Sequence, residues 1–143
     1  MSDDSIRARD LARAFISAIP HARDLGMTVT DIGDGRAVIA MPYDSRLVGD
    51  PASGIIHGGA VSALMDTCGG AAVMAHPGAG IATATLGLRI DYMRAAIPGE
   101  PVEAEAVCFH MTRSVAFVRA EARQAGAGIV ATATGTFTVE RAA

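Results

Sequence analysis

Aromatic side chains are scarce in this sequence, at 4% of residues, and tryptophan is absent. Half of the residues are nonetheless apolar, so the core has to be built from Ala, Val, Ile, Leu and Met, whose small side chains let backbones approach closely. Cysteine is limited to Cys68 and Cys108, far apart and in no CxxC pair. That spacing suggests neither a zinc site nor a disulfide framework, and two buried thiols in a reducing compartment are expected. No apolar run approaches the ~20 residues that span a bilayer, and the N-terminus lacks a signal-type stretch. A cytoplasmic protein is expected. Twelve basic and fifteen acidic residues are interspersed for a net charge of −3, which leaves no basic stripe and argues against a nucleic-acid partner.

A chain of 143 residues fits one ordinary domain, able to bury roughly two-thirds of its unfolded surface. Residues 3–19 begin with the helix-start chemistry of Ser2, Asp3 and Asp4 and then place Leu11, Phe15 and Ile19 at four-residue spacing, with Ala8 and Ala12 alongside. This pattern predicts a packed amphipathic helix ended by Pro20. It forms an N-terminal segment, 1–24, ahead of a main domain, 25–143. Met27 to Asp31 and Arg36 to Met41 read as strands joined by Gly33-Asp34-Gly35, a hairpin turn. Residues 42–56 have no period and carry Pro42, Gly49, Pro51 and Gly54, which predicts a long, functional loop.

From Gly58 to about Ala75 the chain is apolar on every side, with only Ser62, Asp66 and Thr67 polar; a helix of that kind is buried. Gly69 and Gly70, each unfavourable in a helix interior, suggest that another backbone passes close by. Residues 82–92 then alternate, apolar at even positions, as a half-buried strand does. Val102 to Met111, Val115 to Arg123 and Ile129 to Glu140 follow as strands with short turns, which favours antiparallel neighbours. The order of elements predicts an α+β fold, one antiparallel sheet wrapped around one buried helix.

Asp66 carries the most information. A carboxylate in an apolar helix loses its water and must find hydrogen bonds or a task, either an Arg or backbone partner or acid/base chemistry with a raised pKa. His57-Gly58-Gly59 lies where the long loop enters the helix. Free N–H groups there, at the positive end of the helix, suit an oxyanion, although a histidine capping a tight turn would look the same. At about 1.5 Å per residue, the eight steps from Gly58 to Asp66 separate them by roughly 12 Å. One scissile carbonyl cannot lie against both, so a shared bond requires Asp66 of one subunit and Gly58 of another, in at least a dimer.

Gly54-x-x-His57-Gly58-Gly59 followed by Asp66, together with the later stretch LGLRIDYMRAAIPGE, resembles the PaaI-type (phenylacetyl-CoA thioesterase-like) family of hotdog thioesterases over roughly Leu25 to Glu140. The resemblance implies a hotdog fold, a homodimer usually paired into a homotetramer, and hydrolysis of acyl-CoA thioesters without metal or further cofactor. By the same resemblance Gly58 is the backbone donor to the thioester carbonyl, His57 shapes that donor loop, and Asp66 attacks or activates water. Where the family often has Asn before its glycine loop, the nearest residue here is Asp50. Thr85 falls where relatives carry Ser or Thr near the attacking water. Strict alternation points it away from the helix, so such a role needs a bulge near Gly87. Arg89, Arg94 and Arg113, with Ser114 as a turn donor and Gly59 in the loop, are candidates for binding CoA, whose phosphates match the guanidinium fork. Hydration of an enoyl-CoA and non-catalytic acyl-CoA binding are the competing readings.

Overall fold

The computed structural model describes residues 2–143, the side chain of Ala8 apart, so the expected place of Ala8 on the first helix's apolar face lies outside the described residues. Helix α1 (Asp3–Ser17) starts as the sequence implies, with the Ser2 side chain accepting from the Ser5 amide. Its buried face, however, is Ala12 and Ile16, while Leu11 is 71% exposed. Nor does Pro20 simply stop it: Pro20 opens a second, five-residue helix α2 (Pro20–Asp24), a position where its missing N–H costs nothing.

A six-stranded antiparallel sheet follows, in the order β1-β2-β6-β7-β8-β5. It comprises β1 (Thr28–Gly33), β2 (Arg36–Met41), β5 (Thr85–Tyr92), β6 (Val102–Met111), β7 (Val115–Gln124) and β8 (Gly128–Thr138). The long loop is more ordered than its lack of period suggested. It holds a 3-10 turn at Ser45–Leu47 and a small hairpin, β3 (Val48–Asp50) with β4 (Ile55–Ile56). Helix α3 (Gly58–Met74) lies on one face of the sheet. Alternate residues line that face, among them Ile39 and Met41 on β2, Ala104 and Ala106 on β6, Ala116 and Val118 on β7, and Ala131 and Phe137 on β8. The run of alanines lets the sheet close tightly on the helix, as the scarcity of large side chains foretold. Gln124, 2% exposed, anchors the β5–β6 crossover by accepting from the Ile97 amide and donating to the Ile97 and Glu100 carbonyls.

Three expectations change here. Helix α3 is not enclosed all round, because Ser62, Ala63, Asp66, Thr67 and Gly70 form a half-buried stripe at the three- and four-residue spacing of one helix face. No backbone crosses Gly69: the ring of Phe137 sits there, 2.7 Å from where a Cβ would stand, whereas Gly70 borders open space. Finally, β5 is a sheet edge rather than a half-buried strand, leaving Leu86 60% and Tyr92 50% exposed.

Candidate active site

The 42–56 segment delivers His57 to the start of α3. The Leu47 carbonyl accepts from the His57 amide at 2.7 Å, and Gly49 packs so closely that a Cβ would come within 2.9 Å of His57 Cα. Gly54 turns the chain at φ +77°, with the Tyr43 hydroxyl donating to its carbonyl. Asp50 holds the same turn through its own carboxylate, which accepts from the Ala52 amide and the Ser53 hydroxyl.

His57 is the N-cap of α3, its Nδ1 accepting from the Gly59 amide at 2.8 Å. An Nδ1 that accepts is unprotonated, so the neutral ring carries its proton on Nε2. Of the two possibilities that the sequence alone left open, the structure shows the cap, made by the His57 side chain and the Gly59 amide. Gly59 commits its N–H to the cap, while the N–H of Gly58, exposed at the first position of the helix, has no acceptor among the described residues. An open donor at a helix N-terminus, with the partial positive charge of the dipole behind it, is a place for an anion or a polarised carbonyl.

Two residues that the sequence did not single out frame Gly58. The Tyr92 ring packs 3.4 Å from where a Gly58 Cβ would be, its hydroxyl donates to the Gly58 carbonyl at 2.9 Å, and it also bonds the Ser62 hydroxyl. Alternation had assigned Tyr92 to the apolar face, and only the fold shows its hydroxyl reaching the helix. We expect Tyr92→Phe to lower unfolding stability by about 0.5–1.5 kcal/mol, the net worth of a hydrogen bond, as read by urea denaturation.

Asp66 lies two turns along α3. Its Oδ1 accepts from the Thr85 hydroxyl at 2.7 Å, and its Oδ2 has no partner among the described residues. Thr85 reaches it because the β5–β8 ladder slips between Thr85 and Gly87, the bulge that such a contact required. Cys68, two residues on, is fully buried, and burial pushes its thiol up to about 12. It is thus a neutral packing group rather than a nucleophile.

Within one chain the two groups open into different recesses. Asp66 and Thr85 border one of about 280 Å³, and Gly58, Tyr92 and Arg94 border another of about 220 Å³. The remaining candidates scatter. Arg94 donates to the carbonyls of Ala95 and Gly128 beside Gly58, Arg89 pairs with Asp91, and Arg113 and Ser114 sit in the β6–β7 turn, where the Ser114 carbonyl accepts from Val139.

Residues 53–131, more than half of the chain, match the family model of the thioesterase superfamily. The chain belongs to the thioesterase superfamily. This superfamily member is similar to a solved Pseudomonas aeruginosa protein at 36% identity, with TM-score 0.80 over 93% of this chain and 99% of that one. It is also similar to a variant of the phenylacetic acid degradation protein PaaI from Thermus thermophilus, at 31% identity and TM-score 0.74 over 85% of this chain and 100% of the other. It is therefore a PaaI-like thioesterase-superfamily protein with the hotdog fold. A Halobacterium salinarum protein provisionally named an esterase is 37% identical over 75 residues. That match spans half of this thioesterase-superfamily chain and half the length of the curated relative.

Proposed function

We propose that this chain is a metal-independent acyl-CoA thioesterase acting as a homodimer, with each active site made from Gly58 of one subunit and Asp66 of the other. The observation that carries the reading is a division of labour along one helix: an unengaged amide at its first residue and, two turns on, a carboxylate with one oxygen held by Thr85 and the other open. In a symmetric pair with antiparallel helices, each amide meets the other subunit's carboxylate. The edge strand β5 supports the same pairing, since one of its sides is unpaired and it carries exposed Leu86 and Tyr92, with exposed Met93 following, a template for another strand.

In this reading the Gly58 N–H donates to the thioester carbonyl oxygen and stabilises the negative charge that develops there. Asp66 takes a proton from water as the water oxygen attacks the carbonyl carbon, and the tetrahedral intermediate collapses by breaking the C–S bond, the proton held by Asp66 passing to the departing sulfur and restoring the carboxylate. Free acid and the CoA thiol are the products. Direct attack by Asp66, giving an anhydride that water then opens, uses the same groups. Single turnover in labelled water separates the routes, because only the anhydride route puts solvent oxygen into Asp66. Arg94 beside Gly58 is proposed to hold part of the CoA, whose phosphates its guanidinium matches.

Subunit complementation tests the shared site. Asp66→Ala and Gly58→Pro are each expected to be nearly inactive. Refolded together, they should recover about a quarter of wild-type thiol release, because half of randomly paired dimers hold one intact site of two. No recovery in a mixture shown to contain mixed dimers defeats the two-subunit site, and enoyl-CoA hydration without thiol release defeats hydrolysis.

A further inference from the structure

Gly58 and Gly59 open α3 with two successive residues that have no side chain. Glycine loses more freedom on folding than any other residue, so this is a helix start that its own backbone holds loosely. The structure holds it from outside. The peptide group between Gly58 and Gly59 is engaged at both ends: its carbonyl accepts from the Tyr92 hydroxyl at 2.9 Å, and its N–H donates to His57 Nδ1 at 2.8 Å. Behind Tyr92 stands Ser62, whose hydroxyl bonds the Tyr92 hydroxyl and lies 3.2 Å from the same carbonyl. With Ser62 donating to Tyr92, the donors run in one direction, from Ser62 through Tyr92 and the peptide to His57. Amide resonance makes the N–H a stronger donor when the carbonyl of the same peptide accepts a proton, so the bonds of such a chain reinforce one another.

We propose that Tyr92, supported by Ser62, is the positioning residue of the Gly58 amide. Resting on the hydrolase reading above, in which the Gly58 N–H meets the thioester oxygen, Tyr92 supplies from strand β5 the rigidity that two glycines lack. A backbone donor is effective when it is aimed before charge develops on the oxygen. The place of the strut matters as well. Tyr92 is the last residue of β5, the edge strand proposed to pair with a second copy, so it fixes the donor relative to the strand along which the other subunit's Asp66 arrives. In this role Tyr92 acts through the peptide and not on the acyl group. Loss of the strut therefore costs the same factor for every thioester, because the carbonyl is common to all of them.

Tyr92→Phe in the full-length protein keeps the ring against Gly58 and deletes the hydroxyl alone. With acetyl-, hexanoyl- and phenylacetyl-CoA, kcat is expected to fall by one common factor, about threefold to tenfold, the worth of a hydrogen bond expressed as a rate. KM should stay within about twofold, as it does when an interaction special to the transition state is lost. Thr30→Val controls for stability, since it deletes the bond from the Thr30 hydroxyl to the Val38 carbonyl on β1, at the opposite edge of the sheet, and should keep wild-type kcat. NMR of the labelled protein reads the strut without turnover: in Tyr92→Phe the Gly59 amide proton is expected to move upfield, the direction of a weakened hydrogen bond to His57. That shift in a protein that cleaves no thioester would sink hydrolysis and keep the strut. An unmoved Gly59 proton, an unchanged kcat in Tyr92→Phe, a loss that differs from one acyl group to the next, or an equal loss in Thr30→Val overturns the proposal.

Discussion

Replacing Asp66 by alanine is expected to leave a folded protein whose thioester hydrolysis is at least about a hundredfold slower, the scale of losing a positioned base or nucleophile. Folding should survive because the side chain is half-buried, on the open stripe of α3, and its one hydrogen bond is to Thr85. Thiol release, with a melting curve as the control for folding, is the measurement. Wild-type rates from Asp66→Ala would remove this carboxylate from the mechanism. His57→Ala provides a graded comparison. It deletes the cap on the Gly59 amide but leaves the Gly58 N–H in place, so a smaller loss than for Asp66→Ala is expected. An equal or larger loss would assign direct chemistry to the imidazole.

Gly58→Pro isolates the other half of the site. Proline deletes the one backbone donor proposed to face the carbonyl, yet it is favoured at the first position of a helix. The residue before it must be extended, and His57 already has φ −62° and ψ 137°, the region a following proline demands. A Cβ at position 58 would stand 3.4 Å from the Tyr92 ring, an ordinary contact. Stability should therefore be nearly kept while kcat falls by about a hundredfold or more, the usual cost of an oxyanion donor. Loss of kcat together with an unchanged melting temperature is the decisive pattern; retained kcat would mean that the amide does not serve the reaction.

Both halves of the candidate site stood out in the sequence because each breaks a local rule. An acidic residue does not belong in the apolar helix of residues 58–75, and two glycines after a histidine do not belong at a helix start unless the backbone is needed there. The limits of β6, Val102–Met111, are those predicted. What stayed hidden were contacts across the sequence. Alternation alone turned Thr85 away from Asp66, and only the resemblance asked for the one-residue slip near Gly87 that lets them meet; the reach of Tyr92 to Gly58, 34 residues away, had no such signal. The face of α1 was misplaced for a related reason. Leu11 and Phe15 stand out by hydropathy, but Ala12 and Ile16, one residue further round at the same four-residue spacing, take the buried face, and spacing alone does not choose between two such stripes.

Pairing of the bare margin of β5 with a second copy, as proposed, would tie output to abundance. If each catalytic unit is completed by a second copy, specific activity must decline on dilution below the dissociation constant of the pair, and a solitary molecule carries two unfinished halves together with a sticky ribbon of main-chain donors and acceptors. A cell that makes too little of this protein would lose hydrolysis more steeply than it loses the protein.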